Sequence, residues 1–307
     1  MKLSNDILTI EVAEHGAELV SLKRLPPPLR GTPPCQGGEL GREYLWTGDA
    51  AYWNRHAPIL FPAVGKPYNN ELHVAGKVYP MKQHGFARDS EFEVIGDGRL
   101  RMKEIDLSAG YPYQLGLEVC YRLEGSSVEV VWTVENMDNC DAYFQIGAHP
   151  GFLLPDYPAE DKLHGYLHYY DREGNPVNPV IVNGLEDGNR VPLADGYVRV
   201  PSEMPIEVDT FAHDALMFEG GQVTKAILCD KEGNKVLGVS CPQAEAYGIW
   251  APHKPGCPFV CLEPWCGICD THGFTDNISR RQYIHRLEPN ETYTFTYIIK
   301  LYPLPAR

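Results

Sequence analysis

Histidine and carboxylate side chains lie near the ends of three apolar runs, in the segments QHGFARD (83–89), YFQIGAHPGFLLP (143–155) and PFVCLEPWCGICD (258–270). A β-strand ending in such a segment would deliver its polar side chain to a shared face. Each polar residue also adjoins a glycine or proline that restricts the backbone. The pairs are His84 with Gly85, His149 with Pro150, and Glu263 with Pro264.

Proton transfer is the chemistry that two histidines and a glutamate suit best. A histidine titrates near pH 6.5, and burial or hydrogen bonding can bring a glutamate towards the same range. One group can then act as a base while another acts as an acid. Taken singly, each residue also has a structural interpretation, because a His beside Gly or Pro in a loop is usually a hydrogen-bonded structural residue. The rigid set together favours a catalytic site.

The elements that must position these residues have the pattern of β-strands. In LGLEVCYRLEGSSVEVVWTVE (115–135), apolar and polar residues alternate on both sides of an EGSS turn, which predicts a β-hairpin with one buried face. The segment YTFTYIIKLY (293–302) repeats the alternation. Helical periodicity of convincing length is nearly absent. We therefore predict an all-β fold with the strand spacing of a β-sandwich.

The chain is predicted to form a single domain over residues 1–307, because no internal repeat or linker divides it. Its 29 glycines and 26 prolines favour many turns and short strands. The segment at about residues 24–44 is too rich in Pro and Gly for a central strand and is predicted to be a long surface loop. Such a loop either has no function or forms a rim of the active site or a partner contact.

Composition excludes several classes of function. The formal net charge is −14 and no run of Lys or Arg is present, so nucleic acid and membrane surfaces are poor partners. No segment has the apolar length of a signal peptide or membrane span, so we expect a soluble, cytoplasmic protein. Nine cysteines cannot all pair within one chain, and a reducing compartment would keep them as thiols.

Five ordered motifs together resemble one known family. The segments RHAPILFPAVG, QHGFARD, GAHPGF, DALMF and CLEPWCGICD are similar to motifs of the aldose 1-epimerase (galactose mutarotase-like) family, in its bacterial branch of mutarotase-related proteins. The resemblance implies a large antiparallel β-sandwich, the supersandwich of that family, with a sugar cleft on a concave face. It also implies an isomerase that interconverts the α and β anomers of a free hexose by opening and reclosing the ring.

The resemblance also implies roles for individual residues. Glu263 would be the general base at the anomeric O1 hydroxyl, His149 the general acid at the ring oxygen O5, and His84 a hydrogen-bonding group near the reacting centre. Arg55 and Asp214 match positions that bind sugar hydroxyls. Trp265 either fills the core beside the base or offers an aromatic face to the sugar.

Two other functions remain open at this level. A hexose-6-phosphate 1-epimerase would need extra positive charge near the sixth carbon, for which Arg55, Arg88 and Lys66 are candidates. A non-catalytic carbohydrate-binding or regulatory protein would keep the cleft without turnover, although the presence of all three proton-transfer residues favours an enzyme. Adjacent Arg88 and Asp89 are expected to anchor their loop.

Anomerisation requires no metal, nucleotide or redox cofactor, and we expect none. The expected partner is a monosaccharide, and the chain is expected to be a monomer or a homodimer. Four cysteines lie within thirteen residues and include a CxxC pair: Cys257, Cys261, Cys266 and Cys269. A structural zinc site generally uses two such pairs separated by a longer connection, so we interpret these thiols as small apolar side chains of the core.

Overall fold

The structure of the protein is a computed structural model that describes residues 1–26, 41–103, 111–155, 157 and 160–303. Residues 27–40, which form most of the predicted Pro- and Gly-rich loop, lie outside the described residues. The described ends of that segment belong to two paired strands, Leu19–Arg24 and Arg42–Glu43. Across the described ranges, no helix has the length and apolar character needed to cross a membrane.

Strands dominate the described residues, and helical structure is confined to three short 3₁₀ turns at Tyr68–Asn70, Ala87–Asp89 and Ile278–Arg280. The strands are, in chain order, β1 (Lys2–Ser4), β2 (Leu8–Val12), β3 (Leu19–Arg24), β4 (Arg42–Glu43), β5 (Ile59–Leu60), β6 (Glu71–Val74), β7 (Lys77–Pro80), β8 (Phe92–Gly96), β9 (Arg99–Met102), β10 (Leu115–Glu124), β11 (Ser127–Asn136), β12 (Ala142–Phe144), β13 (Ile146–Ala148), β14 (Gly151–Leu153), β15 (Leu163–Tyr170), β16 (Val180–Ile181), β17 (Asn183–Glu186), β18 (Asn189–Pro192), β19 (Val198–Arg199), β20 (Glu203–Glu207), β21 (Leu216–Glu219), β22 (Lys225–Cys229), β23 (Lys235–Ser240), β24 (Ala246–Trp250), β25 (Phe259–Cys266), β26 (His285–Leu287) and β27 (Thr292–Leu301).

The largest sheet has nine strands in the order β20-β15-β22-β23-β27-β11-β10-β9-β8. Its central strand is β27, and the predicted hairpin lies beside it, with β10 and β11 paired antiparallel from Leu115 opposite Asn136 to Glu124 opposite Ser127. On β11, alternate residues from Val128 to Val134 are buried, and β27 adds a third alternating strand beside it. The predicted hairpin and its buried face are therefore confirmed.

A second sheet has six strands, in the order β21-β24-β25-β13-β5 with β14 also paired to β25. Its central strand β25 is buried at all eight positions. Val260 and Leu262 point into the main hydrophobic core, which also contains Val130 and Leu237 of the nine-stranded sheet. The core thus lies between two antiparallel sheets, and the prediction of an all-β sandwich is confirmed. The single-domain assignment stays a prediction.

The face of β25 that points away from the main core is also buried. Residues 259 and 261 pack in one small apolar cluster and Trp265 packs in another, so this face lies under further side chains. Because successive residues of a strand point to opposite faces, Glu263 shares this face with Cys261 and Trp265. This second buried face of the six-stranded sheet carries the candidate site.

Candidate active site

His149, between β13 and β14, lies directly opposite Glu263 of β25. The backbone pairings on either side of them are Ile146 with Cys266, Gly147 with Trp265, and Gly151 with Cys261. These pairings have one constant register, which places residue 149 across from residue 263. The ladder is interrupted only locally, because Pro150 has no N–H to donate, and its carbonyl still accepts a hydrogen bond from the Leu262 N–H at 3.1 Å.

The two side chains meet with little access to solvent. His149 Nε2 lies 3.2 Å from Glu263 Oε2, and the side chains are 10% and 1% exposed. The contact is not aligned as a hydrogen bond, and His149 Nδ1 and Glu263 Oε2 are both buried without a hydrogen-bond partner among the described residues. Buried polar atoms are usually paired, so unpaired ones at a cleft indicate a site where a polar ligand completes the network.

Burial shifts the pKa of the two groups in opposite directions. Desolvation raises the pKa of Glu263 well above its ordinary value, and the negative charge of Asp214 adds to the rise. The neighbouring Trp265 N–H opposes this shift because it favours the carboxylate. Desolvation lowers the pKa of His149 to about 3. Burial therefore favours the uncharged form of both groups, which is a protonated Glu263 beside a neutral imidazole.

His84 faces the same pair with its proton on a defined nitrogen. Its Nδ1 accepts a hydrogen bond from the Gly65 N–H at 3.2 Å, so the neutral ring carries its proton on Nε2. The His84 and His149 rings are 5.5 Å apart and nearly perpendicular. Burial, followed by the influence of His149, lowers the pKa of His84 well below its ordinary value. His84 is therefore a neutral hydrogen-bond donor.

Gly85 allows the QHGFARD segment to approach strand β5 closely enough to position His84. His84 and Gly85 both have positive φ, at 66° and 70°. A Cβ on Gly85 would lie 2.2 Å from the Phe61 carbonyl oxygen, which makes any side chain impossible without moving the backbone. The glycine noted in the sequence therefore has a direct steric reason.

Two tryptophans that the sequence analysis did not single out enclose His149. Trp53 stacks on its ring with centroids 4.8 Å apart and planes at 30°. Trp250 meets the same ring edge-on at 5.6 Å. Both line the cleft. They remove water from the imidazole and restrict its rotation, which accounts for part of the desolvation that lowers its pKa.

Trp265 lies beside Glu263 and requires two glycines. A Cβ on Gly248 would lie 2.4 Å from Trp265 Cζ2, and a Cβ on Gly147 would lie 2.8 Å from Trp265 Cδ1. Gly248 is also the direct neighbour of Glu263 on strand β24. The indole both packs in a small apolar cluster and lines the cleft, so the two roles considered for Trp265 are compatible. Its N–H is buried without an aligned hydrogen-bond acceptor among the described residues.

The two arginines near the motifs occupy different places. Arg55 donates to Asp89 Oδ1 at 2.7 Å and to the Arg88 carbonyl at 3.2 Å, and its side chain is not part of the cleft lining. Arg88 does line the cleft, and one of its amino groups donates to the Gln83 carbonyl at 2.7 Å. Burial and the charge of Arg55 lower the pKa of Arg88 to about 10. Of the expected loop anchor, Arg88 bonds to the backbone of its own loop and also lines the cleft, whereas Asp89 bonds to Arg55.

The cleft itself has a volume of about 340 Å³. Asp214 lies in its lining with φ of 74°, and its Oδ1 accepts a hydrogen bond from the Ala215 N–H at 2.8 Å. A second cavity of about 490 Å³ shares Gln83, Leu185, Gly188 and Asp214 with the first and includes Lys66. Lys66 Nζ is ion-paired to Asp187 at 2.9 Å. All the predicted site residues except Arg55 therefore lie in one cleft.

Comparison with known proteins identifies the family. The family model for aldose 1-epimerase matches residues 1–300. The chain belongs to the aldose 1-epimerase family. This confirms the resemblance carried by the five motifs.

Individual relatives match over nearly the full length of the chain. The protein LacX of Lactococcus lactis is 26% identical over 315 residues, covering 98% of this chain and 99% of LacX. The structure of a galactose mutarotase related enzyme from Lactobacillus acidophilus is 26% identical with a TM-score of 0.83, covering 99% of this chain and 97% of that one. A galactose mutarotase-like protein from Lactobacillus casei shares the fold, with 24% identity, a TM-score of 0.81 and coverage of 98% and 99%.

Proposed function

We propose that this member of the aldose 1-epimerase family interconverts the α and β anomers of a free hexose. The observation that carries the proposal is the opposed pair of His149 and Glu263, whose Nε2 and Oε2 atoms lie 3.2 Å apart at the wall of a cleft. Within the described part of the chain, His149 Nδ1 and Glu263 Oε2 have no hydrogen-bond partner. Ring opening needs one group to accept the proton of the O1 hydroxyl and one to donate a proton to O5. A pair that holds one proton in total can supply both.

The proposed roles are base for Glu263 and acid for His149, as in the family resemblance. These roles need a carboxylate and an imidazolium, which together carry the same single proton as the glutamic acid and neutral imidazole favoured by burial. A transfer across the 3.2 Å contact converts one form into the other. Sugar hydroxyls that hydrogen-bond to the charged groups would favour the charged form.

The proposed step then conserves protons. Glu263 accepts the proton from O1 while His149 gives its proton to O5, the C1–O5 bond breaks, and a carbonyl forms at C1. Rotation about C1–C2 presents the other carbonyl face, and both protons return when the ring closes. His84 would donate from Nε2 to a sugar oxygen beside the reacting carbon, because its Nδ1 is already held by Gly65.

The other lining groups suit the rest of a sugar. Asp214 is a charged acceptor for hydroxyl groups and Arg88 is a charged donor, and both lie in the cleft lining. The faces of Trp53, Trp250 and Trp265 can cover the apolar C–H groups of a pyranose ring. We therefore transfer to Arg88 the hydroxyl-binding role that the sequence suggested for Arg55.

A phosphorylated hexose is the second candidate, and one observation favours it. Arg88 places a guanidinium in the cleft lining, where it could bind a phosphate. Two others count against it, because Asp214 lines the same cleft and the ammonium of Lys66 is already paired with Asp187. The free sugar therefore remains the preferred substrate.

The test is to measure anomer exchange by NMR with the wild-type protein on glucose, galactose and their 6-phosphates, each against the same reaction without protein. We expect faster exchange of at least one free hexose. Acceleration of the 6-phosphates alone would replace the free hexose by the phosphorylated one. Binding of these sugars in calorimetry without any acceleration would contradict an enzymatic function and support a carbohydrate-binding protein.

A further inference from the structure

The four cysteines that cluster in the sequence do not converge on one point in the fold. Cys257 donates to the Phe259 carbonyl, Cys266 belongs to the main core and donates to the Gln243 carbonyl, and Cys269 packs in the small cluster around Trp265. Cys261 instead lies on the same face of β25 as Glu263, two residues away. Cys257 packs against the cluster of Trp46, Phe259 and Cys261, but Cys266 and Cys269 lie in other clusters, so the four thiols do not converge on one metal site. Of the four, Cys261 is the one that shares a face of β25 with Glu263.

Cys261 completes a set of three metal-ligating side chains. One ligand atom from each of His149, Cys261 and Glu263 lies within 4.8 Å of the other two, and all three residues are buried. Four-coordinate zinc has Zn–N and Zn–O distances of about 2.0–2.2 Å and Zn–S of about 2.3 Å, which places its ligand atoms roughly 3.3–3.6 Å apart. His149 and Glu263 already meet this spacing at 3.2 Å. A movement of about 1 Å by the Cys261 thiol would complete it.

Two further observations indicate that this set can accept a ligand. Glu263 Oε2 is buried without a hydrogen-bond partner among the described residues, so its lone pairs are available for an ion. His149 Nδ1 also has no partner there, so it can carry the ring proton and leave the Nε2 lone pair to the ion. The net charge of the ion with its three ligands would be zero, because one thiolate and one carboxylate balance a divalent cation and the imidazole is neutral. A neutral complex avoids the desolvation cost of a buried net charge.

We propose that His149, Cys261 and Glu263 form a binding site for a thiophilic divalent cation such as Zn²⁺ or Cd²⁺. Binding forms bonds from the ion to the imidazole nitrogen, the sulfur and a carboxylate oxygen. The protons of the thiol and the carboxylic acid are released to solvent, and no electron is transferred. Three protein ligands leave a fourth position, which a water molecule or a sugar hydroxyl can fill from the cleft.

The bound ion would inhibit the proposed reaction. It occupies the same lone pairs that Glu263 and His149 use to move protons, so neither could act as acid or base. This consequence rests on the proposed function, whereas the binding itself does not. Binding should weaken as the pH falls, because protons compete for the sulfur and the carboxylate.

The test is to titrate the full-length protein with Cd²⁺ and record the ultraviolet band of cadmium–thiolate bonds, together with Zn²⁺ calorimetry. The variants are Cys261→Ser and Cys261→Ala, with Cys269→Ser as the matched control, since Cys269 is also a buried thiol of this region. We expect the wild type and Cys269→Ser to bind one equivalent that both Cys261 variants lack. Loss of the thiolate should weaken Zn²⁺ binding by at least about 100-fold.

Other results of these experiments would overturn the metal-site proposal. An unchanged cadmium–thiolate band in both Cys261 variants would assign the metal to another thiol and overturn the proposal, as would a wild type that binds neither ion. If the variants unfold, the melting temperature of the wild type is measured with and without Zn²⁺. A site that exists only in the folded state must raise this temperature when the ion binds. Absence of that rise would overturn the proposal. Metal binding without any anomerase activity would leave this site supported and contradict only the proposed function.

Discussion

The two sheets of the sandwich bury their residues differently. In the nine-stranded sheet, β10 and β11 bury one face in the core and leave much of the other towards solvent. In the six-stranded sheet, β25 is buried at every position, because its second face is covered by aromatic side chains of the cleft. The difference explains where the candidate chemistry lies. A sheet buried on both faces can hold a histidine and a glutamate away from water, which shifts their pKa values towards sharing one proton.

The largest expected effect is on the buried pair. Glu263→Gln keeps the shape of the protonated acid but cannot accept a proton, so we expect the rate of anomer exchange to fall by about 10²–10⁴. The fold should be unchanged, which circular dichroism and a melting curve would check. Retention of more than about a tenth of the wild-type rate would contradict the role of Glu263 as base.

Matched glycine substitutions compare the two sheets. Gly248→Ala places a Cβ 2.4 Å from the Trp265 ring, so the indole must move and disturb Glu263 beside it. We expect a loss of about 1–3 kcal/mol in the free energy of unfolding and at least a tenfold loss of activity, of about the size expected from misplaced catalytic groups. The control is Gly116→Ala on β10, where the nearest atom is the sulfur of Met137 at 3.2 Å. Equal losses of activity in both variants would contradict the functional difference between the two sheets.

A core truncation in the nine-stranded sheet should lower the stability of the protein without changing its activity. Val130 is fully buried in the main core. Val130→Ala should lower the free energy of unfolding by about 2–3 kcal/mol, because it removes buried methyl groups and leaves a cavity. The anomerase rate per folded molecule should stay the same. A denaturant titration and an exchange measurement on one preparation would separate these effects, and a large loss of rate would show that the sheets are not functionally distinct.

The pH dependence of stability should show the cost of burying Glu263. Its pKa is raised on folding, so the folded state binds the proton more tightly than the unfolded chain, which titrates near pH 4.3. Stability is therefore lost as the pH rises from about 4.3 through the folded pKa. Glu263→Gln removes this loss, and His149 is present in both proteins. We expect the variant to gain stability relative to wild type between pH 5 and 8, and a constant difference would contradict the raised pKa.

The sequence predicted the half-exposed sheet from its alternation and the site from its chemistry. The alternation of apolar and polar residues in β10, β11 and β27 is visible in the sequence because one face of these strands meets solvent. Strand β25 has no such pattern, and Glu263 was noticed as a carboxylate within an apolar run. Its opposition to His149 could not be predicted, because it depends on a strand register between residues more than a hundred positions apart.

The surroundings of the pair were the least predictable part. Nothing local distinguishes Trp53 and Trp250 from other core aromatics, since their contact with His149 is set by tertiary packing. Arg55 and Arg88 both lie in the motifs, and the sequence predicted that Arg55 binds the sugar hydroxyls. The 3₁₀ turn at Ala87–Asp89 brings Asp89 to Arg55 and leaves Arg88 in the cleft lining, which is why we propose Arg88 for this role.

The most direct test of the account is a double-mutant cycle on the pair. Anomer exchange would be measured by NMR for wild type, His149→Asn, Glu263→Gln and the double variant on the same sugar. If the two residues share one proton and act as a unit, either substitution removes the function of both, and the double variant should be no slower than the slower single variant. Losses that multiply in the double variant would show that the residues act independently and would contradict the shared-proton pair.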